Sequence, residues 1–149
     1  MKLSPEATQR KALLPKWVRF FCWIFFLFLI FSPFLLLGLF INANVSLAIY
    51  GFSYYGQGFS LYALVLIILF AFLGLTGYSL LWGKKWGIYL GVIQGLIGST
   101  VPVVTTILAF MQGGFGVPLE IILFIPWTIK MFKIKNSWLT GKTSSIQSN

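Results

Sequence analysis

The hexapeptide WGKKWG, residues 82–87, decides the fold because it sets two lysines between two long apolar segments. Gly83 and Gly87 lie within the stretch, and glycine is typical of turns. Tryptophan rings are enriched at membrane–water interfaces, and lysines reach from there into water and lipid phosphate. We therefore predict a tight turn at a membrane surface that joins two antiparallel helices. The residues expected to contact lipid headgroups are Trp82, Lys84, Lys85 and Trp86.

The composition places the chain in a membrane. Its 149 residues are 58% hydrophobic and 9% charged, whereas soluble domains carry about 25% charged residues. A chain this short cannot hide so much apolar surface in a soluble core. Eleven lysines and arginines oppose two glutamates, which gives a formal net charge of +9. Because these cations cluster at the ends of apolar runs, they indicate membrane topology rather than nucleic-acid binding.

Four apolar runs follow a polar segment, residues 1–16, which we predict to be a mostly flexible tail. A membrane-spanning helix needs about 20 residues. The first three runs meet that length, whereas the fourth is shorter and contains Pro126. We predict an all-α, multi-pass membrane domain over residues 17–134 and a second polar tail over residues 135–149. The predicted spans are residues 17–41, 59–82, 86–111 and 117–132.

The distribution of charge predicts an orientation. Lysines and arginines occur only within residues 2–19, 84–85 and 130–142, whereas residues 42–58 and 112–116 carry no charge. Four spans place all three basic segments on one side, and the positive-inside rule makes that side cytoplasmic. We therefore predict that both termini are cytoplasmic, and we expect a bacterial cytoplasmic membrane.

The sequence lacks the residue sets that most membrane enzymes use. It has no histidine and no aspartate, and a lone cysteine, Cys22, excludes an intramolecular disulfide or a CxxC site. Its acids, Glu6 and Glu120, are predicted on opposite sides of the membrane, so they cannot form a catalytic pair. GFSYYG, residues 51–56, is no nucleophile elbow because Tyr55 stands where glycine is required. We expect no catalytic site, no cofactor, no metal and no nucleic-acid partner.

The third predicted helix carries glycines at a spacing of four residues. At about 100° per residue these glycines share one stripe with a glutamine and a threonine. Small residues let helix backbones approach closely, and polar side chains hydrogen-bond across such contacts. Three interpretations stay open: packing within the chain, an interface with a second copy or a partner, and a pore or substrate path lined by Gln94. The predicted helix-packing face is Gly87, Gly91, Gln94, Gly95, Gly98 and Thr105.

Glu120 is the one acid predicted near the bilayer. Ionisable residues inside membranes are candidates for function. However, Pro118 falls near the first position of the predicted fourth helix, where proline is favoured. An acid in the first turn also complements the helix dipole. Helix capping, proton or cation handling, and contact with a partner are therefore the alternatives.

These patterns support three hypotheses about function. The first is a non-enzymatic accessory, assembly or regulatory membrane subunit that acts through helix packing. The second is a small oligomeric transporter or channel that uses Gln94 and Glu120. The third is a lipid-modifying enzyme, although the chain lacks the acids and histidines that such chemistry usually needs. The expected partners are membrane lipids and either further copies of the chain or a larger membrane complex.

Overall fold

The computed structural model describes residues 4–111 and 120–140. The described part of the chain is mostly helical, with 77% of its residues in helices. Within the described ranges, helices α1 and α2 precede a two-stranded hairpin, and helices α3 to α5 follow it. The elements are α1 (Pro5–Ala12), α2 (Lys16–Phe40), β1 (Asn44–Ile49), β2 (Phe52–Gln57), α3 (Leu61–Leu81), α4 (Gly87–Met111) and α5 (Glu120–Thr140).

Three of the described helices are long and apolar enough to cross a membrane. They are Lys16–Phe40, Leu61–Leu81 and Gly87–Leu108, with mean hydropathies of 2.6, 2.4 and 1.6. Of the most apolar stretch of α2, only 17% is buried within the protein. Side chains of that kind are stable when exposed to lipid rather than to water. Helices of this length and composition indicate an integral membrane protein.

Helix α5 differs from those three helices because lysines occupy its second half, at Lys130, Lys133 and Lys135. Its apolar part, residues 120–129, covers about 15 Å at 1.5 Å per residue, half of a hydrocarbon core about 30 Å thick. The predicted fourth span, residues 117–132, therefore stays a prediction, and its first three residues lie outside the described part. The helix also continues to Thr140, into the region predicted as a polar tail.

An ordered helix, α1, occupies part of the N-terminal segment that was expected to be mostly flexible. The Ser4 hydroxyl caps it by accepting a hydrogen bond from the Ala7 N–H at 3.3 Å. Pro5 sits at the start of the helix, where its missing N–H costs nothing. Ala7 and Arg10 are buried, so α1 packs onto the rest of the protein.

The hairpin departs from the all-α prediction and lies in the loop between the first two predicted spans. Its antiparallel register pairs Asn44 with Gln57 and Ile49 with Phe52. The two turn residues, Tyr50 and Gly51, have φ angles of 56° and 81°, as a type I′ turn requires. Residues of β1 alternate between exposed and buried, so one face of the strand packs against the helices. The buried residues of β1 are Val45, Leu47 and Ile49.

Close helix contacts hold the bundle together. A Cβ added at Gly74 of α3 would lie 2.5 Å from the Leu29 Cβ of α2, and one at Gly77 would lie 2.5 Å from the Cys22 carbonyl oxygen. Such distances are below any ordinary contact, so only glycine allows α2 and α3 to approach this closely. Helices α4 and α5 form a second close pair. The core lies between the two pairs and beneath β1.

Candidate functional site

The WGKKWG turn ends α3 in a hydrogen-bonded glycine motif. The Gly83 N–H donates to the Leu80 carbonyl at 3.1 Å, and the Lys84 N–H donates to the Ser79 carbonyl at 2.9 Å. This pattern is a Schellman cap, which needs a left-handed residue after the helix. Gly83 supplies it with a φ of 61°. A Cβ at this position would also collide with the Ala7 carbonyl oxygen of α1.

A buried arginine ties three distant segments together at this turn. Arg10 is 8% exposed, and its Nε donates to the Trp138 carbonyl at 3.1 Å while Nη1 donates to the Gly83 carbonyl at 3.4 Å. Its Nη2 pairs with the Glu6 carboxylate at 2.9 Å. In return, the Trp138 indole N–H donates to the Lys84 carbonyl at 3.0 Å. Helix α1, the turn and the end of α5 therefore meet at one end of the bundle.

The four residues predicted to contact lipid headgroups have different surroundings. Lys84, Lys85 and Trp86 are exposed at the end of the bundle. Trp82 is half-buried, and its ring centroid lies 4.7 Å from that of Tyr78. Contact of these side chains with lipid stays a prediction.

Three glycines of the predicted helix-packing face lie against α5. A Cβ added at Gly98 would lie 2.5 Å from the Phe124 Cγ, and one at Gly91 would lie 3.0 Å from the Met131 sulfur. A Cβ at Gly95 would meet α5 between these two points. The order of these contacts shows that α4 and α5 run antiparallel. The glycines therefore let the two backbones approach within the chain.

A buried tryptophan stabilises the contact between α4 and α5. Trp127 is fully buried, and its indole N–H donates to the Gly91 carbonyl at 3.0 Å. Its ring also lies 5.2 Å from that of Phe25 of α2, centroid to centroid. Trp127 thus joins α5 to both α4 and α2. A bulky side chain at position 91 would crowd the groups around this hydrogen bond.

The remaining residues of the predicted face have other neighbours. Gly87 lies against Ser79 of α3, where an added Cβ would be 2.9 Å from a backbone carbon. The Thr105 hydroxyl donates to the Pro102 carbonyl at 3.0 Å and lies beside Gly51 of the hairpin. The five residues of the face other than Gln94 therefore contact α3, α5 and the hairpin rather than one common partner.

Gln94 is the unusual member of the face. Its side chain is fully buried at 0% exposure, and neither its Nε2 nor its Oε1 has a hydrogen-bond partner among the residues that the structure describes. Burying an unpaired amide costs free energy, about 1–3 kcal/mol by mutational measures. Within the described part of the chain, Gln94 thus has no interhelical hydrogen bond of the kind that its place on a glycine stripe suggested.

The structure describes the backbone of Glu120, the acid of the predicted fourth span, but not its side chain. Helix α5 begins at Glu120, but its side chain and residues 112–119, including Pro118, lie outside the described part. The choice among helix capping, proton or cation handling and contact with a partner is therefore untested. Cys22 is buried in α2. Within residues 4–111 and 120–140, no group of three histidines, cysteines or acids is placed to hold a metal ion.

Sequence patterns did not single out two side chains that meet at the turn, Arg10 and Trp138. Arg10 belonged to a segment expected to be flexible, and Trp138 lies beyond the last predicted span. A local signal existed, because Glu6 and Arg10 have the i,i+4 spacing that stabilises a short helix. Nothing in one sequence, however, pairs Arg10 with a carbonyl 128 positions away.

No protein-family model, curated protein or solved structure matches this chain.

Proposed function

We propose that this chain is a non-enzymatic accessory, assembly or regulatory subunit of a membrane complex that acts through helix packing. The observation that carries this proposal is the closure of the α4 glycine face against α5. Contacts that leave no room for a single added carbon at Gly95 or Gly98 leave no passage between these helices. Such packing favours a rigid bundle over a conduit along this face.

The hairpin offers a surface for a partner. Strand β1 is packed against the helices, whereas most residues of β2 are exposed. Tyr55 of β2 is 82% exposed. Exposed aromatic side chains and strand edges are both features that proteins use for recognition. We therefore assign the contact with a partner protein to β2.

Purification from the native membrane tests this role. The full-length chain, extracted in a mild detergent, should carry a second protein at a fixed ratio, measured by native mass spectrometry and identified by peptide sequencing. Tyr55→Ser should weaken that association, while Tyr55→Phe, which keeps the ring, should preserve it. A chain that is isolated only as a monomer or a uniform homo-oligomer would contradict the proposal.

The proposed topology has four spans, with both termini in the bacterial cytoplasm. It is supported by the meeting of α1, the turn and the end of α5, which are the three basic segments. In a Cys22→Ser background, Ser53→Cys should react with an impermeant maleimide in intact cells. Lys85→Cys should react only after permeabilisation. Labelling in the opposite order would reverse the orientation.

A transporter or channel is the second candidate, and Gln94 is the observation that favours it. A buried amide without a partner among the described residues gains hydrogen bonds if a polar solute or water reaches it. Flux of protons, sodium or potassium into liposomes containing the purified chain tests this directly. Loss of flux in Gln94→Leu or Glu120→Gln would support transport, and absence of flux in the unaltered chain would leave the subunit role.

A further inference from the structure

A small basic pocket lies on the side of the bundle near the turn. Its volume is about 150 Å³. The C-terminal end of α1, the first turns of α2 and the end of α3 meet around it. The residues that line it are Lys11, Arg19, Trp23, Leu81 and Trp82.

Among the residues that the structure describes, no acid pairs with the two cations of this pocket. Arg19 is held in place because its Nη2 donates to the Lys11 backbone carbonyl at 3.0 Å. Among the described residues the sole ion pair is the one between Arg10 and Glu6. Lys11 and Arg19 both line the pocket, and no described acid compensates their charge. Arginine and lysine in this arrangement match a phosphate group.

Aromatic side chains form the rest of the pocket. The Trp23 and Trp82 rings lie 6.3 Å apart, centroid to centroid. Trp23 is 53% exposed, whereas Leu81 is buried. Tryptophan beside basic residues is typical of the headgroup level of a membrane. The pocket also lies at that level in the fold, because Arg19 is in the first turn of one apolar helix and Trp82 follows the last turn of another.

An apolar track leads away from the pocket along α2. Exposed side chains follow Trp23 at helical spacing, namely Leu27, Ile30 and Phe34. From position 23 to position 34 the track covers about 16 Å at 1.5 Å per residue. A ligand with an anionic phosphate and a long hydrocarbon chain fits both parts, since the phosphate meets the two cations and the chain lies along the track.

We propose that this pocket binds the phosphate headgroup of an anionic glycerophospholipid, with an acyl chain along the α2 track. Basic pockets between membrane helices commonly hold such headgroups. The inference rests on the membrane location of α2 and α3 and does not depend on the proposed subunit role. A specific lipid at this place joins α1 to α2 and α3 and thereby stabilises the Arg10 contacts at the turn.

The test counts lipids retained by the full-length protein. Protein from nanodiscs with equal phosphatidylglycerol and phosphatidylcholine is released into detergent and weighed by native mass spectrometry. One phosphatidylglycerol should be retained in preference to phosphatidylcholine. Lys11→Gln, which leaves the backbone carbonyl used by Arg19 intact, should weaken retention roughly fivefold. Lys11→Gln with Arg19→Gln should weaken it roughly 30-fold.

The matched control is Lys84→Gln with Lys85→Gln, which removes the same charge from exposed positions outside the pocket. It should change retention less than about threefold, because charge without a pocket acts only through a screened surface potential. Equal losses in both double variants would show diffuse attraction and overturn the proposal. Equal retention of the two lipids by the unaltered protein would also overturn it. Displacement of the lipid by millimolar inorganic phosphate would instead assign the pocket to a soluble anion.

Discussion

Adding one methyl group to Gly95 should force α5 away from α4. An alanine Cβ there would lie 3.1 Å from both the Thr128 Cα and the Trp127 Cδ1, and closer still to the Thr128 hydroxyl. Carbon atoms need about 3.5–4.0 Å, so α5 has to move outward by about 0.5 Å. Its backbone carries Trp127, whose 3.0 Å hydrogen bond to the Gly91 carbonyl then lengthens.

The two opposing contributions can be weighed. Overpacking of a close interface costs about 2–3 kcal/mol, whereas replacing glycine by alanine in a helix returns about 1 kcal/mol. Gly95→Ala should therefore lower the free energy of unfolding by about 1–2 kcal/mol. For a chain of this length that corresponds to a fall in Tm of roughly 3–6 °C.

Gly91→Ala is the matched control, because it makes the same change one helical turn away. A Cβ at Gly91 would meet the tips of flexible side chains, with the Met131 sulfur at 3.0 Å and a Leu80 methyl at 3.4 Å. These groups can rotate aside, so the helix preference for alanine should leave Tm unchanged or slightly higher. Thermal unfolding in detergent, followed by circular dichroism, measures both variants. Equal shifts in the two variants would refute the assignment of this face to the α4–α5 contact.

Three further changes test other parts of the structure. Gln94→Leu should raise the free energy of unfolding by about 1–3 kcal/mol, because it removes a buried amide that lacks a partner in the described part; a lower Tm would reveal a partner. Trp127→Phe keeps a ring but deletes the N–H bonded to Gly91, and should cost about 1 kcal/mol in thermal unfolding. Arg10→Met should release α1 and speed tryptic cleavage after Lys11, whereas Gln9→Met, beside it on the exposed side, should not.

The sequence predictions that the structure supports rest on local signals, that is, on residues close together in the chain. Glycine after an apolar run and two adjacent lysines were enough to place a turn at residues 82–87, and hydropathy alone found α2, α3 and α4. The hairpin was missed for a local reason too. Its turn uses Tyr50 at positive φ, not the Asn-Gly or Asp-Gly pair that signals a type I′ turn in a sequence. The alternation in NVSLAI was visible but lies in a loop flanked by long apolar helices.

A single sequence does not show which residues, distant in the chain, contact one another in the fold. The spacing of glycines in α4 identifies a face, because helix geometry is periodic. It does not say which neighbour covers each position, and here Gly87 meets α3 while Gly98 meets α5. The same limit explains Gln94. A glutamine on a glycine stripe predicts an interhelical hydrogen bond, but the outcome depends on which polar atoms the facing helix presents.

The position of α5 along the axis of the bundle follows from its contacts with α4. Met131 is level with Gly91 and Phe124 with Gly98, while the Trp138 indole reaches the turn at Lys84. The lysines of α5 therefore lie toward the basic end, and Lys135 lies 5.6 Å from the ring centroid of Tyr89 near the start of α4. By the same antiparallel register, the backbone at position 120 lies near the level of position 102, about 13 Å short of the end of α4 at position 111. The contacts with α4 thus fix the position of α5 along the bundle. The mean hydropathy of α5 is low because its lysines lie at the end of the bundle, and not because the helix lacks apolar contacts.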